Sequence, residues 1–96
     1  MQFTGIYAPV ITPFHDDGSI DEGGFAQVVE FLIDAGVHGI VVAGTTGEYY
    51  AQTTAERVGL MQTAHRVING RVPLMIGVGA IRTEDAIELA QAAKQT

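Results

Sequence analysis

The sequence predicts an α/β chain made of three successive strand-loop-helix units of a parallel sheet. Three observations carry that reading. Short apolar runs begin near Ile6, Gly39 and Pro73, a spacing that fits one βα unit each. Each run is followed by a loop rich in Gly, Thr or Pro, and each loop leads into a helix-start signal. The repeat is one of pattern, not of residue identity. Right-handed crossovers then bring the loops after Ile11, Ala43 and Ile76 to one end of the sheet, where α/β proteins keep their chemistry.

In the first unit, Ile6, Tyr7, Ala8, Val10 and Ile11 form a near-continuous apolar stretch that suits a strand buried on both faces. Pro9 interrupts it. A proline has no N–H for the ladder, so this strand is expected to be bulged, short or at an edge. After the loop Thr12 to Gly18, Ser19-Ile20-Asp21-Glu22 has the Ser-x-x-Glu form of a capping box. The helix that follows shows one face made of Phe25, Val28, Val29, Leu32 and Ile33, and Gly36 stops it.

The second unit has a strand over residues 38–43, the loop Gly44-Thr45-Thr46-Gly47-Glu48, and a helix from about Thr54 to Ile68. Thr53-Thr54-Ala55-Glu56 is a second capping box, and Asn69-Gly70 ends the helix. In the third unit, Pro73 to Gly77 is the strand, Val78 to Arg82 the loop, and Thr83 the expected cap of an alanine-rich helix with Glu84 and Asp85 in its first turn. Three parallel strands by themselves leave an edge and part of one face uncovered. The architecture therefore reads as incomplete.

Ninety-six residues with 47% apolar content suffice for one small core and not for two domains. The net charge of -6, with four arginines and one lysine, argues against nucleic acid and anionic membrane as partners. There is no cysteine, no basic leader at Met1 to Gly5 and no apolar run long enough to span a bilayer, so a cytoplasmic chain is expected.

The chemistry-bearing stretch is Gly44-Thr45-Thr46-Gly47-Glu48. A strand that ends in Gly, two hydroxyl residues and Gly brings amide and hydroxyl donors to one point, which suits a small carboxylate or phosphate. The bland alternative is a turn whose hydroxyls only satisfy backbone groups. The loop lacks the Gly-Lys-Ser/Thr ending of a nucleotide P-loop, and Gly77-Val78-Gly79 lacks the third glycine of a dinucleotide fingerprint. Glu48 reads as a carboxylate that accepts backbone N–H bonds rather than as an acid or base. Lys94, the only lysine, falls in a last helical turn, where a solvated amine complements the helix dipole. His15, His38 and His65 are too scattered for a metal motif, and Asp16-Asp17 lies in a hydrophilic turn, so no metal is expected. Tyr49 and Tyr50 fit either the mouth of the site or a subunit contact.

Taken together, Tyr7-Ala8-Pro9-Val10-Ile11-Thr12-Pro13-Phe14, Gly44-Thr45-Thr46-Gly47-Glu48 and Pro73-Leu74-Met75-Ile76-Gly77-Val78-Gly79-Ala80 resemble the start of the dihydrodipicolinate synthase / N-acetylneuraminate lyase family. The resemblance covers the whole chain in the right order. It implies that residues 1–96 are the first three βα units of a (β/α)₈ TIM barrel, whose full length is roughly 250 residues. It further implies class I aldolase or hydro-lyase chemistry, in which a lysine on a later strand forms a Schiff base with pyruvate or a related 2-oxo acid. Under that resemblance Thr45 is the catalytic residue, joining a proton relay with tyrosines, and Thr46 and Gly47 bind the substrate carboxylate. The lysine and the relay tyrosines have no matching position here. No cofactor is expected, and a homo-oligomer is. The positions that resemble the lysine-effector patch hold Tyr49, Tyr50, Thr54, Arg57, Ile81 and Asp85, a poor match, so lysine feedback is not expected. The competing reading is a truncated, non-catalytic binding or assembly module of the same fold.

Overall fold

The computed structural model describes residues 2–96. Its central strand is β2 (Gly39–Val42), which pairs in parallel with β1 (Tyr7–Pro9) on one side and β3 (Leu74–Ile76) on the other. Between and after the strands run α1 (Glu22–Asp34), α2 (Thr54–Ile68) and α3 (Thr83–Gln95). The chain is therefore α/β, as its pattern predicts.

Register explains where the core sits. Ala8, Ile40 and Leu74 share one row, with Val42 and Ile76 two residues further along on the same face. Ile40 and Val42 are fully buried there against Phe25 and Val29 of α1 and Leu60, Ala64 and Ile68 of α2. Full burial of each such side chain stabilises by about 1.5–3 kcal/mol. The alternate row, Pro9, Val41 and Met75, faces the other way, and Met75 is 40% exposed. So the helices cover one face only, and the layer is thin: the described residues measure 35 × 34 × 20 Å. The expectation that the first apolar stretch is buried on both faces is corrected accordingly, since Ile6 and Ile11 are 68% and 52% exposed. The expectation of an open face and edge is met.

Pro9 sits where a proline can be tolerated. The Val10 N–H donates to the Val41 carbonyl (2.9 Å), so the alternating backbone turns the Pro9 nitrogen to the outer edge of β1. Next to this strand, His38 closes the entry to β2 by accepting the Ile6 N–H at Nδ1 (2.9 Å) while its own N–H donates to the Ile6 carbonyl (2.8 Å). His38 is structural.

Two helix starts differ from expectation. Ser19 does not cap α1; its hydroxyl and N–H both donate to Asp17 (2.6 and 2.9 Å) in a small turn closed by the Phe14–Ile20 bridge. Asp21, two residues nearer the helix, accepts the Gly24 N–H instead (2.9 Å). At α3 the cap position is Arg82, without a side-chain bond, and Thr83 is the first helical residue. Glu84 and Asp85 in that first turn supply the charge that suits the helix dipole. The Thr53/Glu56 box of α2 forms in both directions, and its end falls at Asn69, whose left-handed φ of 48° halts the helix.

Arg71 then ties the layer together. It donates to the Val67 and Ile68 carbonyls at the end of α2 (2.7 and 3.0 Å) and grips Glu30 of α1 through both oxygens (2.7 and 3.1 Å). That hydrogen-bonded guanidinium holds the Glu30 carboxyl below its ordinary value of 4.5. A lowered folded-state pKa contributes stability above pH 4.5 and loses it as pH falls through the lowered value. Glu30→Gln is therefore expected to melt at a lower temperature than the parent at neutral pH, by a small margin because the pair is exposed. Thermal melts carried into acid should show the two curves converging.

Candidate functional site

The site grows from the bend that follows β2. Ala43 is buried and left-handed, with φ 60°, a conformation that costs a non-glycine residue about 1–2 kcal/mol. A side chain at Gly77, just past β3, would run into the Ala43 carbonyl. Gly77 is thus the space that the bend occupies. The Gly77 N–H also donates to the Val42 carbonyl (2.8 Å), which fixes the two strand exits side by side.

Beyond the bend, two overlapping turns form the loop: Gly47 N–H to Gly44 carbonyl (3.1 Å) and Glu48 N–H to Thr45 carbonyl (3.0 Å). A short 3₁₀ turn, Tyr49–Ala51, leads on towards α2. Thr45 and Thr46 are exposed at the tip. Among the described residues, neither their hydroxyls nor their amides have a hydrogen-bond partner. The loop therefore offers four donors, all uncharged, within two consecutive residues. A carboxylate that lost part of its hydration would find replacements there.

Gly47 has a different place. It is buried, its N–H is engaged by Gly44, and its carbonyl accepts from the Thr12 hydroxyl (2.7 Å) and from Gln52 Nε2 (2.9 Å). A Cβ there would lie 3.0 Å from the Val10 carbonyl, so only glycine fits comfortably. Glu48 is exposed, left-handed at φ 58°, and its carboxylate makes no cap bond, contrary to the expectation that it accepts backbone N–H groups. Lys94 is exposed in the last turn of α3, as its sequence position implies. Among the described residues, no three His, Asp or Glu side chains cluster as a metal site would require, and no helix is long and apolar enough to cross a membrane.

Beside the loop, a cleft of about 390 Å³ is walled by Tyr49, Tyr50, Thr54, Arg57, Ile81 and Asp85. Arg57 is only 5% exposed and has no carboxylate partner among the described residues. Its two terminal nitrogens donate to the Gly77 and Gly79 carbonyls (2.8 and 2.6 Å), and its guanidinium lies 4.9 Å from the centre of the Tyr49 ring. Burial pushes its pKa below the ordinary arginine value, and Tyr49 opposes that shift. Among the described residues, Arg57 Nε and Gln52 Oε1 are both buried without a partner. A neutral group in that position costs about 1–3 kcal/mol.

The family model for the dihydrodipicolinate synthetase family matches residues 2–96, which is nearly the whole chain. The chain belongs to that family. One family relative, the probable 2-dehydro-3-deoxy-D-pentonate aldolase YjhH of Escherichia coli (strain K12), is 43% identical over 93 residues, which are 97% of this chain and 31% of the relative. The 4-hydroxy-tetrahydrodipicolinate synthase of Desulfotalea psychrophila is 42% identical over 95 residues, covering 99% of this chain and 32% of the enzyme. Among solved structures, YagE, a prophage protein of the dihydrodipicolinic acid synthase family from E. coli K12 in complex with pyruvate, superposes with a TM-score of 0.94 at 39% identity, over 99% of this chain and 32% of YagE. The chain thus spans about a third of the length of the family members it matches.

Within this family member the first-named residues, Thr45 and Thr46, are brought to one exposed point, and Gly47 lies beneath them as their support. Thr12, Gln52 and Arg57 complete the arrangement. Thr12 lies inside the first family motif, but nothing in the pattern marks its hydroxyl as a partner of Gly47. In sequence Arg57 reads as a cation four residues into a helix and as one of the positions that resemble the effector patch, and neither reading marks its two carbonyl partners.

Adding one methyl group tests the bend directly. Gly77→Ala is expected to destabilise by at least the about 1–3 kcal/mol typical of overpacking, because the opposing atom is backbone and cannot rotate away. Chemical denaturation measures it, and an unchanged midpoint would contradict the geometry.

Proposed function

We propose that these residues are the first three βα units of a (β/α)₈ barrel enzyme, a pyruvate-dependent class I aldolase or hydro-lyase, and that they supply the grip on the carboxylate of a 2-oxo acid. The observation that carries the reading is the pair of exposed threonines with free hydroxyls and amides at a strand exit. Membership of the family, and the pyruvate complex of the related YagE, support the choice of ligand. In this proposal Thr46 and the adjacent amides hold the carboxylate while Gly47 keeps the loop in shape. Thr45 passes a proton as the keto oxygen leaves, which a hydroxyl can do because it both donates and accepts.

A carboxylate fixed by neutral donors leaves the neighbouring carbonyl free to meet an amine in a defined geometry. That amine belongs to a lysine outside these residues. The relatives carry different names, one a probable 2-dehydro-3-deoxy-D-pentonate aldolase and another a 4-hydroxy-tetrahydrodipicolinate synthase, so only the 2-oxo acid end of the substrate is proposed here. We place the enzyme in the cytoplasm as an assembly of identical copies, with no cofactor. The alternative, a non-catalytic module of the same fold, is favoured only by the open sheet face around Met75.

Two measurements test the proposal on the complete protein. Borohydride reduction in the presence of labelled pyruvate should mark a lysine outside residues 1–96; label on Lys94 refutes it. Thr46→Val is expected to raise the pyruvate KM by about 10- to 100-fold, the loss of one hydrogen bond to a charged group. Thr45→Val should instead lower kcat by about 10²- to 10⁴-fold, as for the loss of a proton-transfer group.

A further inference from the structure

We infer that Gln52 and Arg57 are positioning residues that brace the Thr45–Thr46 loop against both neighbouring strand exits, and so set the affinity for a 2-oxo acid. The inference rests on the function proposed above.

The three loops do not meet through their own backbones alone. Gln52 reaches to the first unit: its Nε2 donates to the Gly47 carbonyl (2.9 Å) and to the Thr12 hydroxyl (3.2 Å), and Thr12 in turn donates to the same carbonyl (2.7 Å). Arg57 reaches to the third unit, with one fork tine on Gly77 and the other on Gly79. Its guanidinium also lies over Tyr49, three residues beyond Thr46. So two side chains five residues apart, one just before α2 and one in its first turn, connect the threonine loop to the exits of β1 and β3.

A stability argument does not account for Arg57. A buried cation without a carboxylate is disfavoured by desolvation, and packed apolar side chains often replace buried charges without loss. What an apolar residue could not do is bind two carbonyls at a fixed separation. Lysine could not do it either, since a single ammonium lacks the planar fork. Gln52 shows the same character. Its amide donates to the Gly47 carbonyl and to Thr12, while among the described residues its carbonyl oxygen is buried without a partner.

The complete protein carrying Arg57→Lys, Arg57→Ala or Gln52→Leu tests this. Each variant is expected to raise the pyruvate KM about tenfold with kcat changed less than about threefold, the pattern of weakened ground-state binding. Added methylguanidinium should restore the KM of Arg57→Ala and not that of Gln52→Leu. Amide exchange in the peptide spanning residues 43–48 should quicken in all three. Variants that fold with unchanged KM and unchanged exchange overturn the inference, as does a lowered melting temperature with no change in either. If Arg57→Ala fails to fold, Arg57→Lys and Gln52→Leu decide by the same two readouts. If the parent protein shows no pyruvate-dependent borohydride labelling, the proposed function has failed, and the exchange measurement alone still decides whether the brace exists.

Discussion

The contact between the Ala43 carbonyl and the bare α-carbon of Gly77 is the constraint on which the rest of this structure depends. Without room at Gly77 the backbone could not enter the left-handed region at Ala43, and β2 would run on straight. With that room, the chain leaves the sheet sharply and folds towards β1, where Gly47 comes against the Val10 carbonyl and under the Thr12 hydroxyl. The two threonines are exposed because the glycine beneath them is not. A strained residue, a missing side chain and a buried carbonyl thus act in sequence, each making the next possible.

How much of this is legible in the residues depends on how local the deciding interaction is. The bounds of α2 are read correctly because both signals lie within four residues: the reciprocal Thr53/Glu56 bonds at one end and the left-handed Asn69 at the other. The start of α1 is misread because Ser19 and Asp21 are both good caps, and only the turn around Asp17 decides which one is free. Thr83 fails for the opposite reason, since acidic residues one and two places on make a cap bond dispensable. Glu48 is misread because its left-handed backbone, which no pattern announces, leaves its carboxylate without a backbone partner. Gln52 and Arg57 are harder still. Their partners are backbone carbonyls and a hydroxyl, most of them 20 to 40 positions away, and carbonyls carry no residue signature.

The fold and the site also share a logic of one-sidedness. Ile40 and Leu74 of one row pack into the core beneath the helices, while Met75 of the alternate row is 40% exposed. A chain with net charge -6 has little cationic surface with which to attract an anion, and its one deeply buried guanidinium is already committed to carbonyls. In the proposed function, neutral donors at the strand ends hold the anion instead. Such donors have direction and little reach, so they discriminate by shape and placement and not by long-range field.

Pro9 carries one more consequence. On the outer border of β1 the nitrogen that faces outward at Pro9 has no hydrogen to give, so a strand arriving there finds a rung missing from the ladder. Any strand that pairs along this border does so without a donor from that position.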